Sequence, residues 1–310
     1  MKRDLFIAWL TILLILFHIQ SCAHGESPIT DGWAFDAIGY KEVAAVPKKC
    51  GRTTTVAVID TGIDYANPFF NGSLIPNVGW NFFYTNKLPL DTNQHGTRVS
   101  SIIISTARMG LPTCNAIQLM TLKYYDNSLW GDNLTNTINA IRYATTHNVQ
   151  LINYSSGGND SNATERDAIE YAASRGIIIV TAAGNNSSNA AWYPAAYEVP
   201  NVIGVASVDK TGGLSNSSNF GTRIPIAAPG VDVLALSINN KYETVFGTSI
   251  ATPFVAGAVA WLMSQSVGPV WPTVDELRKK LQRATKEVKG NEKHNLVQWG
   301  SLYLPKLINP

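Results

Sequence analysis

Between residues 54 and 209 the chain alternates two kinds of segment, and that alternation limits the fold more than any other feature. Continuous apolar runs rich in β-branched residues occur at TTVAVID (54–60), AIQLMTLKYY (116–125), VQLINYSSGG (149–158), IIIVTAAGN (177–185) and VIGVASVD (202–209). Runs this short, apolar on both faces, are strands buried in a parallel sheet. Between them lie segments with helical spacing: HGTRVSSIIISTA from near His95, LTNTINAIRYATTHN, and ATERDAIEYAASRG, which Gly176 stops. Strand, helix and strand in this rhythm predict βαβ units and an α/β fold with a mostly parallel central sheet and helices on both faces. In such sheets ligands bind outside the carboxyl ends of the strands. Polar groups gather there: Asp60-Thr61-Gly62, Ser155-Ser156-Gly157-Gly158 and Gly184-Asn185.

The chain has 310 residues, 45% hydrophobic and 15% charged, enough to bury a sizeable core. A net charge of +2 is too near neutral for a nucleic-acid groove, and no nucleic-acid partner is expected. Lys2 and Arg3 precede an apolar stretch from Leu5 to Phe17, shorter than the roughly 20 residues a membrane span needs, which is a signal-peptide pattern. Ile19-Gln20-Ser21-Cys22 follows and resembles a bacterial lipobox, making Cys22 the candidate lipidation site and the route to a membrane. A plain secretory signal and an uncleaved anchor are the other readings of these residues. Residues 1–21 are thus assigned to a signal peptide, 22–50 to a short, polar N-terminal segment and 51–310 to one domain, expected to be monomeric. Export leaves Cys50 and Cys114 as one pair in an oxidising compartment. Each lies just upstream of a strand-like run, so parallel neighbouring strands would let them bridge; two free core residues are the alternative.

GTSIATPFVAGAVA (247–260) begins an almost wholly apolar helix with hydroxyls and carries Pro253. Ser249 at that helix entry, His95 at another and Asp60 at the end of a buried strand are the residue types of nucleophilic acyl transfer. A serine hydroxyl needs a base, imidazole suits that task near neutral pH, and a buried carboxylate orients the imidazole. Asn185, on a tight loop, can direct an amide N–H at an oxyanion. Taken singly, each has a plainer reading: an N-cap, a capping histidine, a turn, a loop asparagine.

Five stretches in order, VAVIDTGID (56–64), QHGTRVSS (94–101), LINYSSGG (151–158), VTAAGN (180–185) and FGTSIATPFVAGAVA (246–260), resemble the subtilisin-like serine peptidases. The resemblance runs from about residue 31 to 305. It implies a three-layer α/β fold and a serine endopeptidase with Asp60, His95 and Ser249 as triad and Asn185 as oxyanion donor. It places Leu129, Trp130 and Gly131 on a segment that pairs with substrate backbone, with Ser155, Ser156 and Gly157 facing it. Ser155–Gly157 also form one wall of a specificity pocket, and Ala183 and Gly184 form the other. Tyr154, Ala191 and Trp192 fall near that pocket. Polypeptides are the implied substrates, and no cofactor is implied. An inactive binding domain and an enzyme that forms peptide bonds are the competing readings of the same resemblance.

Three departures stand out. Arg98 replaces a second histidine, and Ser100-Ser101 replace alanine and glycine, so Ser101 is expected to widen a helix contact. The segment after that helix is short and lacks carboxylates, so the family's strong calcium site is expected to be missing, with weaker sites left open. Little chain separates Cys22 from Asp60, so maturation by signal removal alone is expected, without a folded pro-domain. Ala23 is not the aspartate that retains bacterial lipoproteins in an inner membrane. If Cys22 is lipidated, a cell-envelope address at an outer membrane or the cell surface follows; otherwise the protein is periplasmic or secreted.

Overall fold

The computed structural model describes residues 28–46, 51–76, 78–85, 88–109, 116–126, 132–290 and 295–308. Strands are β1 (Thr54–Asp60), β2 (Trp80–Asn81), β3 (Ile117–Lys123), β4 (Leu151–Tyr154), β5 (Ile178–Ala182), β6 (Val202–Val208), β7 (Ile226–Pro229), β8 (Val233–Leu236), β9 (Tyr242–Val245), β10 (Thr285–Lys286) and β11 (Gly300–Leu302). Helices are α1 (Trp33–Ala37), α2 (Tyr40–Ala44), α3 (His95–Ala107), α4 (Asn133–Thr146), α5 (Ala163–Ser174), α6 (Thr248–Ser264), α7 (Val274–Arg283) and α8 (Pro305–Ile308). Among the described residues, nine strands form one sheet in the order β10-β11-β7-β6-β5-β4-β1-β3-β2, and β8 and β9 form a separate hairpin. Only the β10–β11 pairing in the large sheet is antiparallel. The expected α/β fold with a mostly parallel sheet is the fold observed.

The strands read as continuous apolar runs because both faces are covered. One face of β1, β4, β5 and β6 joins α3 and α6 in a core containing Val58, Ile103, Val180 and Phe254. The other joins α4 and α5 in a core containing Ile59, Ile141, Ile152 and Ile169. The 28–44 stretch, read from sequence as polar, sends Ile29, Phe35, Ile38 and Val43 into the first core. Phe35 packs on Phe254 with ring centroids 5.1 Å apart, a contact that fixes this segment against the central helix.

Order and register set the candidate site. β5, β4 and β1 lie side by side, and the register Val58↔Asn153 and Tyr154↔Thr181 brings their carboxyl ends to one edge. Asp60, Ser155 and Gly184 therefore emerge together. β1 and β3 pair in parallel from Thr54↔Ile117, the arrangement assumed for a Cys50–Cys114 bridge. Both cysteines, and Cys22, lie outside the described residues. No helix among the described residues is long and apolar enough to cross a membrane.

Candidate active site

Asp60 ends β1 and is 3% exposed. Its Oδ1 accepts the Thr61 amide at 2.7 Å, and Nδ1 of His95 lies 2.8 Å from Oδ1 and 3.0 Å from Oδ2. A carboxylate only accepts, so the Nδ1 proton points at Asp60 and Nε2 of neutral His95 is left as a base. Burial pulls the His95 pKa down and the Arg98 charge adds to that, but the charge and hydrogen bond of Asp60 together with the charge of Asp91 outweigh both, so its pKa lies above the ordinary 6.5.

His95 is the first residue of α3, and the turn before it is built on Asp91, whose role the sequence reading missed. Asp91 Oδ1 accepts from Thr61 Oγ1 and from the amides of Asn93 and Gln94 at 2.8–3.0 Å. Its Oδ2 accepts the Thr97 amide and hydroxyl at 2.9 and 2.6 Å. One carboxylate thus ties the residue after Asp60 to the first turn of α3. The available signal was an Asp shortly before a helix entry, a position suited to unpaired helix N–H groups.

Every residue of α6 is buried except Ser249. The helix therefore presents its one accessible side chain at its second position, among amide donors and at the positive dipole end. Thr248 secures the neighbouring loop: its amide and hydroxyl donate to Asn185 Oδ1 at 2.9 and 3.1 Å, and its hydroxyl accepts the Gly184 amide at 3.1 Å. With Oδ1 held this way, Asn185 Nδ2 is left to donate elsewhere. A Cβ built on Gly247 would stand 3.4 Å from Ser249 Oγ and 3.5 Å from Asn185 Nδ2, so hydroxyl and amide flank one small space. Gly247, at φ +124°, suits both the backbone and that space.

Pro253 belongs to the sixth position of α6, not to its first turn. Its missing N–H is therefore not one of the helix-entry donors that have no partner in any case: the proline removes an interior bond to the Ser249 carbonyl.

Arg98 links the two helix entries. It bonds Glu243 on β9 and also the Gln94 side chain, so the first turn of α3 is tied to the strand that leads into Gly247–Ser249. Ser101 does not simply widen a gap: its hydroxyl donates to the Arg98 carbonyl at 2.7 Å and accepts the Leu236 amide at 3.1 Å, joining α3 to β8.

A crevice of about 630 Å³ runs from Asp60 and His95 along Ser155, Ser156 and Gly157 to Tyr154 and Glu165. Glu165 is 4% exposed and accepts from the Tyr197 hydroxyl at 2.9 Å; burial pushes its pKa up, and that hydrogen bond pulls it partly back. Ala183 and Gly184 follow β5, the neighbour of β4 in the sheet, and are tied to Asn219 through both of their carbonyls at 3.0 and 2.9 Å. Leu129, Trp130 and Gly131 lie outside the described residues. Among the described residues no group of three or more His, Cys, Asp or Glu side chains is placed to hold a metal ion.

The model of the subtilase family matches residues 51–300. The chain belongs to the subtilase family. It is 34% identical over 254 residues to the thermophilic serine proteinase of Bacillus sp. (strain AK1), covering 81% of this chain and 61% of that protein. It is 33% identical over 218 residues to thermitase of Thermoactinomyces vulgaris, covering 69% and 76%. The match thus spans about three fifths of the Bacillus relative's length. Among solved structures, a cold adapted subtilisin-like serine proteinase superposes with TM-score 0.71 at 26% identity, covering 83% of this subtilase and 90% of the other chain. A lanthipeptide protease superposes with TM-score 0.76 at 22% identity, covering 89% and 92%, a likeness of fold.

Proposed function

We propose that this subtilase is a serine endopeptidase that cleaves polypeptides through an acyl-enzyme. Ser249 Oγ attacks the scissile carbonyl while its proton passes to His95 Nε2. Asp60 holds the imidazole and stabilises its cation, and Asn185 Nδ2 donates to the oxyanion. His95 then gives the proton to the departing amine, and water releases the acyl group by the same route. Backbone from Ser155 to Gly157 holds the substrate strand. What carries this reading is the single accessible side chain of α6, a hydroxyl, set beside the Asn185 amide at the strand edge where Asp60 and His95 are bonded. Ser249→Ala is expected to keep the circular dichroism and melting midpoint of the parent and lose on the order of 10⁶ in kcat, the general figure for the nucleophile in a subtilisin. Residual activity above a tenth of the parent's would remove Ser249 from its role.

We further propose that the enzyme is exported and held at the cell envelope by acyl chains on Cys22. The support is the apolar stretch Leu5–Phe17 followed by Ile19-Gln20-Ser21-Cys22. Two or more chains give stable anchoring where a single one does not. In a bacterial host, Cys22→Ser should move the protein from the membrane fraction to the soluble one. An equal membrane share for both forms, or an unmodified native N-terminus by mass spectrometry, would count against the anchor.

A further inference from the structure

Gly157 and Gly184 continue β4 and β5, whose register Tyr154↔Thr181 sets them opposite each other as the strands part. A slot between two such walls would take the side chain of the substrate residue that supplies the scissile carbonyl. Here the Trp192 indole occupies it. A Cβ on Gly157 would come within 2.4 Å of Trp192 Nε1, and one on Gly184 within 2.7 Å of its Cδ2. Both walls lack side chains, and the ring, together with the Tyr193 carbonyl beside Gly157 and the Asn219 amide beside Gly184, fills the room this leaves. The indole lines one of two neighbouring spaces. Gly157 and Tyr193 line the crevice of about 630 Å³ that holds His95, whereas Trp192 and Ala183 line a second cavity of about 370 Å³ bounded by Asn219 and Phe220.

The segment carrying Trp192 is fixed. Tyr193 and Gly158 exchange backbone hydrogen bonds at 2.7 and 2.8 Å, and the Trp192 carbonyl accepts the Ala196 amide at 2.8 Å. Trp192 Nε1 is buried and has no acceptor. Packing between the two glycines, not a hydrogen bond, therefore accounts for the ring's position.

Resting on the peptidase reading above, we infer that Trp192 is a specificity-determining residue: it closes the slot and restricts cleavage to bonds following small residues, glycine, alanine and serine. Large aromatic and branched side chains meet the indole. Removing the indole would free the slot and enlarge the second cavity, which the ring lines.

The test is kcat/KM of the full chain on peptides that differ only in the acyl-side residue, Gly, Ala, Ser, Leu or Phe, for the parent, Trp192→Phe and Trp192→Ala. The parent should favour Ala over Phe by on the order of 10²-fold, the range that pocket size supplies. Trp192→Phe keeps a ring between the walls without the indole N–H and should keep the preference; Trp192→Ala should raise the Phe/Ala ratio by a similar factor. If Trp192→Ala does not fold, the parent's profile and that of Trp192→Leu decide. A parent that cleaves after Phe as readily as after Ala, or a ratio unmoved in Trp192→Ala, would overturn the inference while leaving the peptidase reading intact. No hydrolysis of any peptide by the folded parent would overturn both.

Discussion

Replacing Asp60 by asparagine keeps the shape of the side chain and removes its charge. The Thr61 amide donates to Oδ1 at 2.7 Å, so an asparagine must keep its oxygen there. Its NH₂ then falls where Oδ2 stood, 3.0 Å from His95 Nδ1, while the amide oxygen stays 2.8 Å from the same nitrogen. The new donor favours the tautomer with the proton on Nε2, and the neutral amide oxygen holds the Nδ1 proton and the imidazolium less well than a carboxylate, so the proposed base is weakened either way. Contact at about 3 Å with an effective dielectric near 20 gives a gross imidazolium–carboxylate attraction of about 5.5 kcal/mol. The wrong tautomer in a Ser-His-Asp triad generally costs about 10⁴ in kcat, which converts to about 5.4 kcal/mol, a similar size. The pH profile supplies a second reading. Burial lowers the His95 pKa, and Asp60 supplies the first two of the contributions that raise it. Activity needs neutral His95, so the parent's acid limb should lie above pH 6.5, and Asp60→Asn should move the limb to lower pH on a plateau roughly 10⁴ lower. The assay is kcat/KM from pH 4 to 9 on one peptide. A limb that stays or moves upward, or a plateau within tenfold of the parent's, would refute the coupling of Asp60 to His95.

Asn185→Ala should lower kcat by roughly 10²–10³, the general cost of one oxyanion donor and itself a subtilisin value, with KM nearly constant; a rise in KM at constant kcat would make Asn185 a binding residue. Arg98→Ala should lower kcat by roughly 10-fold to 10²-fold through misplacement of His95 relative to Ser249, and adding Glu243→Ala should cost little more; fully additive losses would deny the pairing. Glu165 is disfavoured as an anion in the fold, so its stabilising share is fully present below its ordinary pKa of 4.5 and is lost as pH rises through its raised folded value. Glu165→Gln should therefore melt higher than the parent at pH 8 and like it at pH 3, and the reverse order would contradict the burial argument.

The parallel sheet was legible because β1, β4, β5 and β6 are buried along nearly their whole length, which writes uninterrupted apolar runs into the sequence. The polar residues at the ends of those runs, Asp60, Ser155 and Asn185, were visible for the same reason. Ser249 stood out as a hydroxyl entering an apolar helix. Elements with little local pattern were missed: the β8–β9 hairpin has a partly exposed strand, and β10 is only Thr285–Lys286. The 28–44 stretch looked polar because its few core residues, Ile29, Phe35, Ile38 and Val43, are diluted by exposed neighbours. Arg98 gave no signal of its own because its partner lies 145 residues away, and the indole of Trp192 meets glycines that only strand register brings together. Pairings of that kind belong to the tertiary structure, not to any local spacing.

The central claim is that Ser249 is the activated nucleophile of a serine peptidase, and a fluorophosphonate reports on it directly. The full chain is incubated with the reagent at pH 8, digested and mapped by mass spectrometry, beside His95→Ala as a control for activation. The account predicts one adduct on the peptide containing Ser249, loss of hydrolysis in proportion to labelling, and strongly slowed labelling in the control. Hydrolysis that persists in fully labelled protein, or an adduct on another residue while Ser249 stays free, would contradict it.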